Sequence, residues 1–303
     1  MPKIAIVVNW EGDGAGPGVT DPDVTEVLES AEAIRCGLTE GGMDARVVRV
    51  ASIRDVERAI AADRPDLVFH MVESLHGNAA YEPAVAWRLE RLGVPFAGSG
   101  ARTLRLCLDK DAAVRSLASL QVPVPRAVLW SERCEHPGFP LPAFVKPRRT
   151  DASIGISCDS VVRTPDELTA RARHVARTYG GWAVVQEYLP GREINVAFLG
   201  DEPLPPSEID FSGFPEDRPR IVTYDAKWIE DSPEYKGTRS VRADLDAASL
   251  AEVLRVARRA YAALGVRDFG RVDLRMDARG HPRVIEVNPN CDLAADAGFI
   301  RTC

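Results

Sequence analysis

Short apolar runs alternate with longer amphipathic stretches over the first hundred residues. The runs have the length and the Val, Ile and Leu content of buried strands, and they lie at 3–8, 45–50, 67–70 and 94–97. The stretches between them space their apolar residues as helices do, at about 23–40, 54–62 and 83–92. Strands that alternate with helices of this size predict a parallel sheet with helices on its faces.

The alternation ends at Gly98-Ser99-Gly100, where we place a first domain boundary. Beyond it the pattern predicts helices at 101–106, 109–120, 165–179 and 245–264, and strands at 126–130, 143–147, 183–189, 193–199 and 204–209. Segment 210–240 is rich in Pro, Gly and charge, which is typical of a long functional loop. We therefore expect three domains, at 1–97, 98–182 and 183–303.

The segment 269–292 predicts two strands joined by a tight turn at 277–280. Period-two alternation gives this hairpin a polar face with Arg271, Asp273, Arg275, Glu286 and Asn288, and an apolar face with Val272, Leu274, Met276, Ile285 and Val287. With that turn, Arg271 lies opposite Glu286, and Asp273 is one diagonal step from Glu286. Carboxylate and amide oxygens gathered in this way suit Mg²⁺, although a solvated hairpin face with a surface ion pair has the same pattern.

The composition is that of an acidic protein with an ordinary apolar content. The 303 residues are 45% hydrophobic and 27% charged, and the net charge is −7, which argues against a nucleic-acid-binding surface. No apolar run approaches the ~18–20 residues of a membrane span or follows a basic start, so we expect a cytoplasmic protein without a membrane or nucleic-acid partner. The six cysteines have no C-x-x-C spacing, which argues against zinc and against a disulfide framework.

Six short groups of residues follow one another in a recognisable order. They are Asp109-Lys110, Phe144 to Pro147, Gln186 to Glu193, Tyr224 to Lys227, Gly270 to Asp273 and Glu286 to Asn290. In this order they resemble the ATP-grasp superfamily and, within it, the D-alanine–D-alanine ligase-like branch. His76-Gly77 and Gly93 to Ser99 add to the resemblance, which covers nearly the whole chain.

The resemblance implies an α/β and α+β protein with the ATP-grasp fold. An N-terminal parallel-sheet domain would hold substrate, and two α+β domains would clamp ATP. The implied enzyme is an ATP-dependent carboxylate–amine ligase, in which ATP phosphorylates a carboxylate and an amine then attacks the acyl phosphate. The substrates would be small amino acids or peptides, the cofactors ATP with Mg²⁺ or Mn²⁺, and the assembly a homodimer formed through the first domain.

The nucleotide residues follow from the same resemblance. Lys110 and Lys146 would place positive charge on the phosphates of ATP. The hinge that reads adenine corresponds to Gln186, Glu187, Tyr188 and Leu189. Glu193 has the place of the carboxylate that binds the ribose hydroxyls.

The catalytic residues of the family also have counterparts. The Mg²⁺ ligands correspond to Asp273, Glu286 and Asn288. Arg271 matches the arginine that stabilises the acyl phosphate and the oxyanion. Lys227 matches a lysine that closes over the phosphates and helps to keep water from the acyl phosphate, and Ser153 is retained as a donor to phosphate.

The substrate half of the site departs from the pattern of the branch. Loop 148–155 has one glycine where the branch has several, Ala152 replaces a serine, and Trp228 replaces a tyrosine. The segment that normally captures the second D-alanine is replaced by Pro289 to Leu293. The substrate residues that we match in this half are Glu26, His76, Asn290 and Asp292. The sequence stops at Cys303, so we expect the terminal helices usual in the branch to be absent.

Two other functions stay open. The altered substrate residues also fit an ATP-binding regulatory or partner-dependent subunit without ligase activity, although such a subunit has little need of the metal ligands. The same fold also suits a cyclo-ligase that forms a ring within one molecule, or an enzyme that phosphorylates a group other than a carboxylate.

Overall fold

The computed structural model describes residues 1–10, 22–134, 138–294 and 299–300, and in the first helix it describes side chains from Val27 onward. The helices are α1 (Pro22–Glu40), α2 (Ile53–Asp63), α3 (Tyr81–Leu92), α4 (Ala101–Leu108), α5 (Lys110–Ser119), α6 (Pro165–Thr178), α7 (Tyr224–Trp228), α8 (Pro233–Lys236) and α9 (Ala247–Leu264). The strands are β1 (Lys3–Asn9), β2 (Asp44–Val50), β3 (Leu67–Met71), β4 (Phe96–Ala97), β5 (Ala127–Trp130), β6 (Ala143–Pro147), β7 (Val161–Val162), β8 (Ala183–Glu187), β9 (Glu193–Leu199), β10 (Glu202–Pro203), β11 (Ser207–Asp210), β12 (Arg239–Arg242), β13 (Phe269–Met276) and β14 (Pro282–Asn288).

The first sheet is parallel, with the strand order β2-β1-β3-β4, as the alternating pattern predicts. Its central strand is buried on both faces. Ile4, Ile6 and Val8 pack in one cluster with α1, whereas Ala5 and Val7 pack in another with α2 and α3. Because parallel strands all end at the same edge, the ends of β1 and β3 lie side by side at the carboxyl edge of this sheet.

The second sheet is antiparallel, with the order β5-β8-β6-β7, and α6 covers one face. Thr164 caps the start of α6, and its side chain accepts from the backbone N–H of Glu167 in a capping box. The predicted boundary at 183 assigned strand Ala183–Glu187 to the third domain. The structure places that strand between β5 and β6, because Val184 pairs with both Leu129 and Lys146.

The third sheet has the order β12-β11-β9-β13-β14, with β10 paired to β9. Helix α9 covers it, and Tyr261 of this helix stacks on Phe198 with the ring centroids 4.3 Å apart. Residues of α4 and α5, including Cys107 and Leu117, join the same core. The second predicted domain therefore contributes helices to the third sheet, and the three-domain division stays a prediction. Within the predicted loop 210–240 the chain forms α7 and α8.

The hairpin of β13 and β14 has a different register from the one predicted. Its connection is five residues long, because Met276 pairs with Pro282, and a β-bulge follows at Asp273 and Leu274. Asp273 therefore lies directly opposite Glu286, and Arg271 lies opposite Asn288, so the predicted Arg271–Glu286 pairing was wrong.

The same bulge changes one member of the apolar face. Ile285 is the extra residue of the bulge, because Leu274 pairs with Val284 and Asp273 with Glu286. Val284 joins Val287 in the core, whereas Ile285 lines a cleft.

Among the described helices, none is both long and apolar enough to cross a bilayer.

Candidate active site

A cleft of about 1330 Å³ is lined by residues of the second and third sheets and by the carboxyl edge of the first. It brings together most of the residues that the sequence singled out. Those that line it are Lys110, Lys146, Ser153, Gln186, Glu187, Tyr188, Leu189, Glu193, Lys227, Arg271, Asp273, Glu286, Asn288, Asn290 and Asp292.

Lys110 is held in the cleft by the start of α5. Asp109 caps this helix by accepting from the Ala112 N–H at 3.3 Å, and Asp109 is itself fixed by Arg148 and Arg149 at 2.9 and 2.8 Å. The buried Lys110 ammonium then faces the Glu286 carboxylate at 3.0 Å. The aspartate that caps α5 therefore helps to place the Lys110 ammonium against β14.

Two lysines act on the Glu286 carboxylate, Lys110 by direct contact and Lys146 through its charge. Burial alone would lower the pKa of Lys110, but Glu286 and Asp151, at 3.0 and 3.4 Å, raise it. Burial and the neighbouring Lys110 cation outweigh the anions at Lys146 and lower its pKa to about 8. Burial alone would raise the pKa of Glu286, yet the two lysines hold it at about 2. This wall of the cleft thus places two lysine ammonium groups close together, an arrangement suited to phosphate groups.

Asp273 is the centre of a second polar cluster. Its two carboxylate oxygens accept from the side-chain amides of Asn195 and Asn288, at 2.6 and 2.7 Å. The Arg271 guanidinium donates to both oxygens as well, at 2.6 and 3.0 Å. Arg271, Asp273 and Asn195 sit on paired strands, so the sheet itself sets this geometry.

The donor set fits a magnesium ion that is shared with phosphate. Asp273 and Glu286 supply carboxylates directly opposite each other, and Asn288 adds an amide oxygen without charge. Within the described ranges, no three His, Cys, Asp or Glu side chains come together as a metal cluster. A hard ion that retains open positions for phosphate oxygens suits such an incomplete set.

The other end of the cleft combines one buried ion pair with apolar surface. The Glu193 carboxylate pairs with Arg275 at 3.2 Å, and the Arg275 guanidinium lies over the Tyr188 ring at 5.5 Å. Burial raises the pKa of Glu193, against the opposing effect of Arg275. Leu189 and Ile285 supply apolar surface, and the buried Gln186 Oε1 has no partner among the described residues. An apolar slot with spare hydrogen-bonding capacity and an adjacent carboxylate suits a nucleoside.

Gly191 explains how the chain turns between β8 and β9 at this end. A side chain there would place its Cβ 2.6 Å from the Met276 carbonyl oxygen, closer than atoms can approach. The Gly191 N–H instead donates to that carbonyl at 3.1 Å. Glycine at this position therefore lets the hinge lie directly on β13.

The loop after β6 is bound to the long loop around α7. Trp228 Nε1 donates to the Ala152 carbonyl at 2.9 Å, and Ser153 Oγ donates to the Val222 carbonyl at 3.2 Å. Ala152 and Ser153 have left-handed backbones, with φ of 53° and 58°. Such backbones favour glycine, so these contacts offset a local strain. Lys227 lies against the Trp228 ring, with Nζ 4.6 Å from its centroid.

The structure does not bring the predicted substrate residues together in one place. Asn290 donates to the Glu82 carboxylate at 3.0 Å, and Asp292 accepts from the Ala294 N–H at 2.8 Å. His76 is exposed, does not line the cleft, and meets the ring of Tyr81 edge-on. The side chain of Glu26 lies outside the described residues.

Sequence reasoning gave no site role to Asn195, Arg275 or Glu82. Arg275 is already on the predicted polar face of the hairpin, and Asn195 lies two residues from Glu193 on β9, so period-two alternation could have assigned both to the site. Glu82 has no such signal, because it approaches Asn290 only through the fold.

A family model, sequence relatives and solved structures all indicate the same protein family. Residues 126–301 match a family model described as "D-ala D-ala ligase C-terminus". The D-alanine–D-alanine ligase of Pseudomonas fluorescens is 32% identical over 267 residues, which cover 86% of this chain and 76% of that protein. The ligase of the same name from Gluconobacter oxydans is 32% identical over 278 residues, which cover 89% and 86%. The structure of the D-alanine–D-alanine ligase from Bacillus anthracis complexed with ATP has a TM-score of 0.76 at 20% identity and covers 100% of this chain and 91% of that chain.

Proposed function

Because the chain belongs to the D-alanine–D-alanine ligase family, we propose that it joins a carboxylate to an amine through an acyl phosphate made from MgATP. It is an ATP-dependent ligase that forms an amide bond, and its fold is that of the ATP-grasp ligases. The family and the fold class predicted from the sequence are therefore confirmed. The acyl phosphate, the metal and the roles of single residues are the parts that we propose.

One observation carries the proposal. Two buried lysines, Lys110 and Lys146, flank Glu286 on the same wall on which Glu286 pairs across the strands with Asp273. The lysines would bind the phosphates, each contact being worth a few kcal/mol. Mg²⁺ held by Asp273, Glu286 and Asn288 would neutralise the charge that phosphoryl transfer spreads over the phosphate oxygens.

The chemistry then needs two displacements. An oxygen of the substrate carboxylate attacks the γ-phosphorus of ATP, and ADP leaves. The amine nitrogen attacks the acyl carbon, inorganic phosphate leaves, and the nitrogen loses a proton. Arg271, fixed by two bonds to Asp273, is placed to donate to the oxygen that becomes negative in the second step.

The two interlocked loops would protect the intermediate. An acyl phosphate is lost if water reaches it before the amine. The bond from Trp228 to Ala152 and the bond from Ser153 to Val222 close the loop after β6 against the loop that carries Lys227. Lys227 lies on the cleft side of this closure, among the residues that line the cleft.

Hydroxylamine provides a direct test, because it captures an acyl phosphate as a hydroxamate and releases phosphate. The protein is mixed with MgATP, hydroxylamine and a panel of carboxylates that includes D-alanine, other amino acids and short peptides. We expect hydroxamate and ADP in equal amounts with at least one carboxylate. Tight ATP binding without hydroxamate for any member would instead favour the partner-dependent subunit, and a dehydrated product formed from one molecule would favour the cyclo-ligase.

A further inference from the structure

Glu82 is a buried carboxylate that faces the cleft without a cation. It lies in the first turn of α3, its exposed fraction is 9%, and it lines the cleft. One of its oxygens accepts from the Asn290 amide at 3.0 Å. Over the described ranges, no lysine, arginine or histidine forms an ion pair with it. A buried carboxyl in this condition stays protonated unless a positive group beside it stabilises its charge.

The surroundings of Glu82 are also acidic. Burial raises the pKa of its carboxyl, Asp151 and Glu73 raise it further, and only the Asn290 bond opposes them. Asp151 and Glu73 both line the cleft. The position in the first turn of α3 favours a negative charge but adds no cation. This end of the cleft therefore attracts positive charge.

Two of the cations that line the cleft are held by other carboxylates. Arg271 makes both of its carboxylate contacts with Asp273, and Lys110 contacts Glu286 and Asp151. Glu73, Glu82 and Asp151 also do not form a metal cluster in the part of the chain that the structure describes. An organic ammonium group, which is larger than a metal ion and needs fewer ligands, fits this arrangement better.

The location assigns this recess to substrate rather than to ATP. Glu82 bonds Asn290, two residues beyond the proposed metal ligand Asn288, and Asn290 also reaches the Val72 carbonyl at the end of β3. The Glu73 N–H bonds Asn9 at the end of β1 at 3.2 Å. The recess thus lies at the carboxyl edge of the parallel sheet, where open α/β sheets bind ligands.

We propose that Glu82 binds an ammonium group of the amine substrate, so that the enzyme prefers diamines and basic amino acids over monoamino acids such as D-alanine. One amino group attacks the acyl phosphate and the other rests on Glu82. A substrate carboxylate in the same place would face Glu73, Glu82 and Asp151, and like charges at a binding surface disfavour a partner strongly. The inference rests on the proposed ligase activity and extends it to the class of amine.

The first test compares acceptors on the wild-type enzyme. 1,3-Diaminopropane, lysine and D-alanine are supplied in turn with MgATP and the carboxylate that gives hydroxamate, and amide formation is measured. We expect kcat/KM for the first two to exceed that for D-alanine by at least about tenfold, since a hydrogen bond to a charged group is lost with D-alanine. Equal or better use of D-alanine would overturn the proposal.

The second test uses Glu82→Gln, with Glu90→Gln on the same helix as the matched control. Glu90 lies outside the cleft, where its carboxylate accepts from the Ala101 N–H at 3.0 Å. In Glu82→Gln the KM for 1,3-diaminopropane should rise at least about tenfold, whereas hydroxamate formation should stay unchanged because hydroxylamine carries no second ammonium group. A higher KM for the carboxylate in the hydroxamate assay would overturn the proposal by assigning Glu82 to the other substrate.

Direct binding keeps the inference separate from turnover. 1,3-Diaminopropane is titrated calorimetrically into each protein in the presence of Mg²⁺ and ADP. The ammonium site is supported if the wild type and Glu90→Gln bind 1,3-diaminopropane and Glu82→Gln binds it about tenfold more weakly or not at all. This result supports the site even if no hydroxamate forms. Equal binding by all three proteins rejects it, and failure of the hydroxamate assay alone rejects only the ligase mechanism.

Discussion

Replacement of Glu286 by glutamine should destabilise the protein in a buffer that contains EDTA and no nucleotide. The Glu286 carboxylate lies 3.0 Å from the Lys110 ammonium, and Lys146 is the second cation that acts on it. Glutamine retains the shape of the side chain and removes the charge that both buried lysines face. Because EDTA removes metal ions, the effect measures the lysine–glutamate interaction itself.

The magnitude follows from the pKa and from the burial of the pair. A fall in the pKa of Glu286 from 4.5 to about 2 corresponds to at most about 3 kcal/mol. Loss of one partner of a buried ion pair costs about 3–5 kcal/mol. The Glu286 side chain is 31% exposed, and Asp151 remains 3.4 Å from Lys110, so both figures must be reduced. We expect a loss of about 2 kcal/mol, or about 3 °C in Tm for a chain of this length.

Thermal unfolding followed by circular dichroism measures this loss at several pH values. Because the pKa of Glu286 is depressed in the folded state, its stabilisation is present above pH 4.5 and disappears as the pH falls toward 2. The difference between wild type and variant should therefore shrink by about half between pH 5 and pH 3. The control is Glu202→Gln, whose exposed carboxylate pairs with Arg258 at 3.4 Å and should change stability by less than about 0.5 kcal/mol. A Glu286→Gln variant as stable as this control at pH 7 would refute the reasoning.

Three further predictions concern the cleft. Glu193→Gln should raise the Kd for ATP about tenfold but leave the Kd for tripolyphosphate, which has no ribose, unchanged in calorimetric titrations; equal weakening would contradict the ribose assignment. Because the pKa of Lys146 is lowered to about 8, this lysine loses its charge above pH 8. The affinity for ATP should then fall by up to about tenfold per pH unit, and Lys146→Arg should flatten that profile, whereas a flat wild-type profile would exclude Lys146 from phosphate binding. Trp228→Phe removes the donor to the Ala152 carbonyl and should weaken the contact between the two loops by about 1 kcal/mol. The variant should therefore release several-fold more phosphate than amide. A ratio of phosphate to amide that stays at one would show that other contacts exclude water.

The hairpin shows which features of the fold follow from the sequence. Alternation of polar and apolar residues correctly placed Asp273 and Glu286 on the same face, because that alternation reflects burial. The register was wrong because turn length and bulges depend on backbone energies that side-chain pattern does not report. The five-residue turn added one residue and the bulge at Ile285 added another, so the total shift of two residues preserved the face.

The cleft likewise has residues that the sequence could predict and residues that only the fold brings together. Most residues of the proposed nucleotide end, among them Lys146, Gln186 and Glu193, lie within single strands, where local patterns carry the information. Glu82 meets Asn290 across 208 residues, so only the packing of the first sheet against β14 brings them together. His76, which the resemblance suggested for substrate, does not line the cleft, and its left-handed backbone with φ of 54° is a feature that local pattern could not reveal. The homodimer and the single-residue roles stay predictions.

The carboxyl edge of the parallel sheet also has a consequence for how this enzyme could diversify. Asn9 at the end of β1 and Glu73 just after β3 line the proposed acceptor end, whereas the proposed ATP-binding residues Lys146, Gln186 and Glu193 lie on the two antiparallel sheets. We therefore expect mutations at this edge of the parallel sheet to alter acceptor use without disturbing nucleotide turnover. Exchange of residues 72–82 between relatives should therefore transplant acceptor preference, and the ligase can acquire new substrates during evolution while its energy source is inherited unchanged.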